Sequence, residues 1–170
     1  MPRLRRVTVR GGRQFEYVSQ GKGPATLLVH PGGPGYTYHY LRVLLKLANA
    51  HLRVVLFNPR GVGNSWAPAR PQAYTVQNQA EDVDAIRAAM DIKELHLLGF
   101  SAGGFAALEY ANRFQRRLAS LILCDTAGSA GPWTRWRSAR RSTRRSTRSS
   151  RRRSPPRSTA GSSPPSCTRT

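Results

Sequence analysis

The sequence predicts an α/β fold, a mostly parallel sheet with helices on both faces. Three observations predict it. Short continuous apolar runs recur along the first 125 residues, at Ala25–His30, Arg53–Asn58, Leu95–Phe100 and Leu118–Asp125. Such runs read as strands buried on both faces. Segments with helical spacing separate them, and strand, helix, strand, helix in that order implies parallel pairing.

The elements follow in order. Arg6–Arg10 and Gln14–Ser19 alternate enough for a two-strand ribbon, turned by Gly11 and Gly12. After the run at 25–30, residues 39–50 put Leu41, Leu44, Leu45 and Ala48 on one helical face. Residues 76–90 do the same with Val76, Ala80, Val83, Ile86 and Met90. Thr75 stands as the N-cap of that helix, and Glu81, Asp82 and Asp84 fall in its N-terminal half, where the dipole favours acids. Ala102–Phe114 is rich in good helix formers and gives a third helix.

The chain has 170 residues, 28 Lys and Arg, 8 Asp and Glu, and a net charge of +20. Charge divides it in two. Residues 1–125 hold 16 basic residues and every acid, whereas 126–170 hold 12 Arg and no acid. From 135 to 170 there is no Leu, Ile, Val, Met, Phe or Tyr. A core cannot form from that composition. The expected organisation is therefore a folded part at 1–128 and an Arg/Ser/Pro/Thr-rich low-complexity tail at 129–170. No apolar run approaches the ~20 residues that cross a bilayer, and the basic start lacks the apolar stretch of a signal peptide. Cys124 and Cys167 are the only cysteines, too few for a disulfide framework or a Cys-rich zinc site. A cytoplasmic protein without membrane contact is expected.

The chemistry concentrates at Leu95–Gly104, where Gly99-Phe100-Ser101-Ala102-Gly103 forms Gly-x-Ser-x-Gly between a predicted strand and a predicted helix. A serine on such a turn sits in a strained backbone conformation and needs small neighbours. Gly99 and Gly103 supply the room, and Gly104 lets the helix pack closely. The turn lifts Oγ above the carboxyl ends of the strands, where open α/β sheets bind ligands. Taken alone, the motif also fits a serine that merely caps a helix between glycines. A second element favours the chemical reading. The run at 25–30 ends in His30-Pro31-Gly32-Gly33-Pro34-Gly35, a loop able to present backbone N–H groups. In an acyl-transfer site one N–H from this loop and one from the residue after the nucleophile bind the oxyanion. Those donors are Gly33 and Ala102, with His30 and Gly32 supporting the loop.

On these residues the sequence resembles the α/β-hydrolase superfamily and, within it, the proline iminopeptidase group. The matching pieces are His30–Gly35, Asn58–Ser65, Gly99–Gly104 and Leu121–Gly128. Related esterases, epoxide hydrolases and lactonases share these loops. The group usually has Asp where Asn58 stands, a residue thought to support the loop. The resemblance implies the α/β-hydrolase fold without its lid and later strands, and no metal or organic cofactor. It implies a small peptide or ester substrate, with release of N-terminal proline from peptides as the expected activity and Ser101 as the nucleophile.

A serine hydroxyl needs a base, and the base needs an orienting acid. This fold orders them Ser, then Asp or Glu, then His. The four histidines, His30, His39, His51 and His96, all precede Ser101. The only later acids are Glu109, mid-helix, and Asp125, at the end of a strand. Asp125 is the candidate acid, with strand-end capping as its simpler role. No general base is identifiable, and these 170 residues are expected to turn over little substrate.

The basic tail admits three readings: a nucleic-acid arm binding phosphates through its 12 charges, a solvated tail, or the product of a shifted reading frame. The last is favoured, because Arg, Pro, Ala and Gly have GC-rich codons and because the resemblance stops where a lid would begin. A non-catalytic or nucleic-acid-binding protein is the alternative from another class.

Overall fold

The computed structural model describes residues 2–128. The expectations for the tail at 129–170 lie outside the described residues. Within 2–128 the chain forms six strands and two α-helices, in the order β1 (Arg5–Thr8), β2 (Gln14–Gln20), β3 (Ala25–His30), β4 (Leu52–Phe57), α1 (Val76–Ala89), β5 (Leu95–Phe100), α2 (Gly103–Arg113) and β6 (Leu118–Cys124). Three 3₁₀ segments, at Tyr38–Leu47, Pro71–Ala73 and Gln115–Arg117, fill connections.

All six strands join one sheet in the order β1-β2-β4-β3-β5-β6. The ribbon of β1 and β2 is antiparallel, and β2 pairs antiparallel with β4. From there β4, β3, β5 and β6 run parallel. The central strand is β3, with β4 on one side and β5 on the other. The chain therefore reverses its winding direction at β3, and the loops leaving β3 and β5 lie side by side. That juxtaposition is a topological switch point, where open α/β sheets take their ligands.

Alternation along the buried strands sorts side chains between two cores. Leu28, Val55 and Leu97 join Phe15, Val83, Ile86 and Tyr110 beneath α1 and α2. Leu27, Val29, Val54, Leu56 and Leu98 face the other way, covered by Tyr38, Leu41 and Leu45. Leu41 and Leu45 come from the segment expected to be helical at 39–50, and with Leu44 and Ala48 packed beside them the apolar stripe is as predicted; Tyr38 precedes that segment. Its backbone is 3₁₀ rather than α. The 3₁₀ stretch opens with Tyr38, His39 and Tyr40, whose rings lose rotamer freedom in an α-turn and weaken α propensity.

Thr75 caps α1 as expected, its Oγ1 accepting the Asn78 amide at 3.1 Å. The acids of α1 do more than face the dipole. Asp82 is buried and receives Arg60 Nε at 2.6 Å and Arg13 at 2.5 Å. Arg60 also donates to the carbonyls of Ala73 and Asn78, both at 2.7 Å. Both guanidinium groups lie over the Trp66 ring, 5.4 and 5.5 Å from its centroid. This pair ties the loop after β4 to the helix that follows it. On the opposite side of α1, Asp84 receives Arg87 at 2.8 Å and is paired with Arg117. No helix among the described residues is long and apolar enough to cross a membrane.

Candidate active site

The strand β5 delivers Ser101 onto the turn into α2. Ser101 has φ 50°, a left-handed conformation that costs an L-residue about 1–2 kcal/mol. Three contacts hold it there. The Ser101 amide donates to the Cys124 carbonyl at 2.9 Å, and the Ser101 carbonyl accepts from the Gly104 amide at 3.0 Å. The third is steric. A Cβ on Gly32 would stand 2.7 Å from the Ser101 Cβ and 2.8 Å from the Phe100 carbonyl oxygen, so the loop after β3 presses directly on the turn.

The neighbouring glycines are required for the same reason. A Cβ on Gly99 would lie 2.6 Å from the Gly104 Cα, and one on Gly103 would lie 2.5 Å from both the His30 and Pro31 carbonyl oxygens. A Cβ on Gly104 would enter the Thr126 side chain. The elbow is thus packed between two other loops, and small residues at 99, 103 and 104 make that possible.

The loop His30–Gly35 is positioned by two side chains. His30 is buried, its Nδ1 donating to the Pro31 carbonyl at 2.9 Å. That bond leaves Nε2 unprotonated in the neutral ring; it lies near Gln79 but makes no full hydrogen bond. Burial pulls the imidazole down from 6.5 to about 4, with the Pro31 carbonyl opposing weakly. The other support is Tyr40, whose hydroxyl accepts the Gly32 amide at 2.6 Å. With the Gly32 N–H taken, and with Gly33 turned at φ 68°, the loop's next amide donor is that of Gly33. Tyr40 also packs edge-on against Phe100, the residue before Ser101, at 5.6 Å between centroids. One tyrosine therefore braces both the loop and the elbow. Sequence reasoning missed it, because a single exposed Tyr in a helical stripe carries no signal.

A cavity of about 510 Å³ opens beside these elements. His30, Gly33, Ala102 and Gly103 line one side, and Arg60, Tyr74 and Gln79 the other. The two expected oxyanion donors, Gly33 and Ala102, thus face a common space. His30 makes no hydrogen bond to Ser101, and its depressed basicity suits a buried loop support rather than a base. His39 and His51 are exposed on the surface, and His96 bonds Ser120 Oγ at 2.8 Å on the strands. None of the four is brought to Ser101. Asp125 follows Cys124 immediately, so it stands beside the elbow with φ 50° and an exposed side chain. It has no ion pair among the described residues. No cluster of three or more His, Cys, Asp or Glu suited to a metal occurs among the described residues.

Behind the loops lies a polar network that the sequence did not announce. The buried Glu16 carboxylate accepts Asn58 Nδ2 at 2.6 Å, Asn64 Nδ2 at 3.0 Å and the Asn64 amide at 3.2 Å. Asn58 Oδ1 in turn accepts the Tyr38 amide at 3.0 Å. Burial pushes the Glu16 carboxyl up, but the donors of Asn64 and Asn58, helped by Arg6, outweigh it and hold the group below its usual range. Asn58 thus supports the loop, as its position in the motif implied. It does so as a donor to a carboxylate on β2.

Comparison with known proteins bears on the fold. Residues 25–158 match the family model described as the alpha/beta hydrolase fold. A proline iminopeptidase of Clostridioides difficile (strain 630) is 34% identical over 123 residues, which is 72% of this chain and 41% of that protein. The crystal structure of a Mycobacterium smegmatis proline iminopeptidase superposes with a TM-score of 0.70 at 27% identity, covering 78% of this chain and 47% of that one. A membrane phospholipase A superposes with a TM-score of 0.66 at 34% identity, over 75% of this chain and 40% of that one. The chain spans about two fifths of the length of the curated relatives it matches.

Proposed function

The chain belongs to the α/β-hydrolase family, and from that premise we propose that Ser101 is the nucleophile of an acyl-transfer site. The observation that carries this is the backbone of Ser101 itself, a non-glycine residue at φ 50° between β5 and α2. Strain of this kind persists where the surrounding structure enforces it, and it raises Oγ out of the turn. The hydroxyl attacks the acyl carbon of a small peptide or ester. The Gly33 and Ala102 N–H groups hold the tetrahedral oxyanion, and water later releases the acyl-enzyme. Release of proline from peptide N-termini is the substrate assignment, supported by similarity to the proline iminopeptidases.

Within these 170 residues no imidazole follows Ser101. The proton on Oγ therefore has no acceptor of the usual kind, and Asp125 has no imidazole to orient. The experiment supplies the missing base. Full-length chain is assayed with an activated proline ester, with and without added imidazole, against Ser101→Ala. The expected result is slow hydrolysis in which added imidazole, beyond its own catalysis of the ester in solution, accelerates the parent protein and not Ser101→Ala. Equal rates for the two proteins at every imidazole concentration sink the proposal.

A further inference from the structure

Ser101 follows the carboxyl end of β5. The opposite ends of the parallel strands carry a second cavity, of about 480 Å³. Its floor is the sheet face beneath α1, with Tyr17, Ser19 and Val55, and its wall is the end of α1 at Met90 and Asp91. Two arginines reach it from different strands. Arg5 stands opposite Tyr17, and Arg53 stands two residues before Val55, so both lie on this face. Arg6 points to the other face, toward Glu16.

Arg53 is held in place. It is half-buried, and its Nε donates to Thr26 Oγ1 on the neighbouring strand at 3.2 Å. Thr26 is itself buried, so the anchor belongs to the interior of the sheet. With Nε engaged, the two terminal amines remain, a fork suited to a carboxylate. The half-buried Arg13 and Arg87 each hold such a carboxylate within the chain. Arg53 and Arg5 hold none among the described residues, and residues 126–170 contain no acid. The cavity does contain one carboxylate, Asp91, yet no ion pair joins it to either arginine. Opposite charges thus face one space without touching. Asp91 also follows the C-terminal end of α1, where the helix dipole favours a cation.

We propose that this cavity binds a small zwitterion with an apolar side chain, an α-amino acid or a short peptide. Its carboxylate lies on the guanidinium groups of Arg53 and Arg5, and its ammonium group lies toward Asp91. The apolar side chain rests on Val55 and Met90. A bare anion gains the arginines but meets Asp91 and the negative end of α1, so the arrangement selects a ligand that carries both charges. The site is at the far end of the strands from Ser101 and does not depend on its chemistry.

Arg5 and Asp91 are exposed, which weakens each ion pair, so a dissociation constant on the order of 1 mM is expected for L-leucine. Titration of the ¹⁵N-labelled full chain at low salt, followed by NMR, tests it. The Ser19 and Val55 amides should shift and saturate with leucine. N-acetyl-leucine, which lacks the ammonium, and leucinamide, which lacks the carboxylate, should each bind at least about tenfold more weakly. Arg53→Gln should weaken leucine by a similar factor. Asp91→Asn, a change tolerated at φ 54°, should weaken leucine a few-fold and leave N-acetyl-leucine no weaker. Spectra unchanged away from the cavity show that each variant keeps the fold. Three results overturn the proposal: no saturable shift up to about 50 mM leucine, N-acetyl-leucine or inorganic phosphate binding as tightly as leucine, or leucine binding indifferent to both substitutions.

Discussion

The Tyr40 hydroxyl accepts the Gly32 amide at 2.6 Å while its ring lies against Phe100, so one side chain fixes the distance between the loop after β3 and the elbow. Removing only the hydroxyl strands the Gly32 N–H. Tyr40→Phe should therefore lower stability by about 1 kcal/mol, measured by urea denaturation. Any Ser101-dependent ester hydrolysis should fall as well, because the loop that carries Gly33 loses its brace. A variant as stable and as active as the parent would show that water replaces the phenol fully.

At ordinary positions glycine is less stable than alanine by roughly 0.5–1 kcal/mol. Ser101 reverses that order, because its φ is 50°. Ser101→Gly should be more stable than Ser101→Ala by about 1 kcal/mol, although both abolish reactivity. Paired thermal melts give the comparison. Alanine equal to or above glycine means that the elbow relaxes when the hydroxyl leaves.

Asn58→Asp restores the residue usual in the resembled group but places a second carboxylate against Glu16, whose Oε2 now accepts from Asn58 Nδ2 at 2.6 Å. At pH 7 both ionise, and the variant should lose on the order of 2 kcal/mol or more. Below about pH 5 one carboxyl takes up a proton and can donate to the other, so the loss should shrink. Denaturation at pH 7 and pH 4.5 separates this from simple misfit, which has no pH dependence.

The His30 imidazole titrates near 6.5 in the unfolded chain and about 4 when buried. Above pH 6.5 neither state binds the proton and stability is unaffected. Between pH 6.5 and 4 the unfolded chain takes up a proton that the fold refuses, so stability falls as pH is lowered, by about 3 kcal/mol at most. His30→Gln should flatten that part of the profile. The Glu16 carboxyl, held low in the fold, contributes stability above about pH 4.5 that is lost on further acidification.

Backbone periodicity carried the fold into view. The run Ala25–His30 is β3 residue for residue, and the elbow and its glycines lie where Gly-x-Ser-x-Gly put them. Those features are local: a strand, a turn and the steric limits of a Cβ. What stayed hidden depends on pairs distant in sequence. Glu16 meets Asn58 and Asn64 across more than forty residues, Arg13 meets Asp82 across 69, and Tyr40 reaches back to Gly32 from a 3₁₀ segment. Nothing in the identity of an Asn or a Tyr declares such a partner. The stripe Leu41–Leu45 was readable as a covered face, but spacing alone did not distinguish 3₁₀ from α.

The buried carboxylate of Asp82 has an effect beyond its own helix. Arg13 stands just before β2 and Arg60 in the loop after β4, and both end on it. Three stretches of chain far apart in sequence thus share one anchor, which acts as a keystone: loosening any one of them unseats the other two.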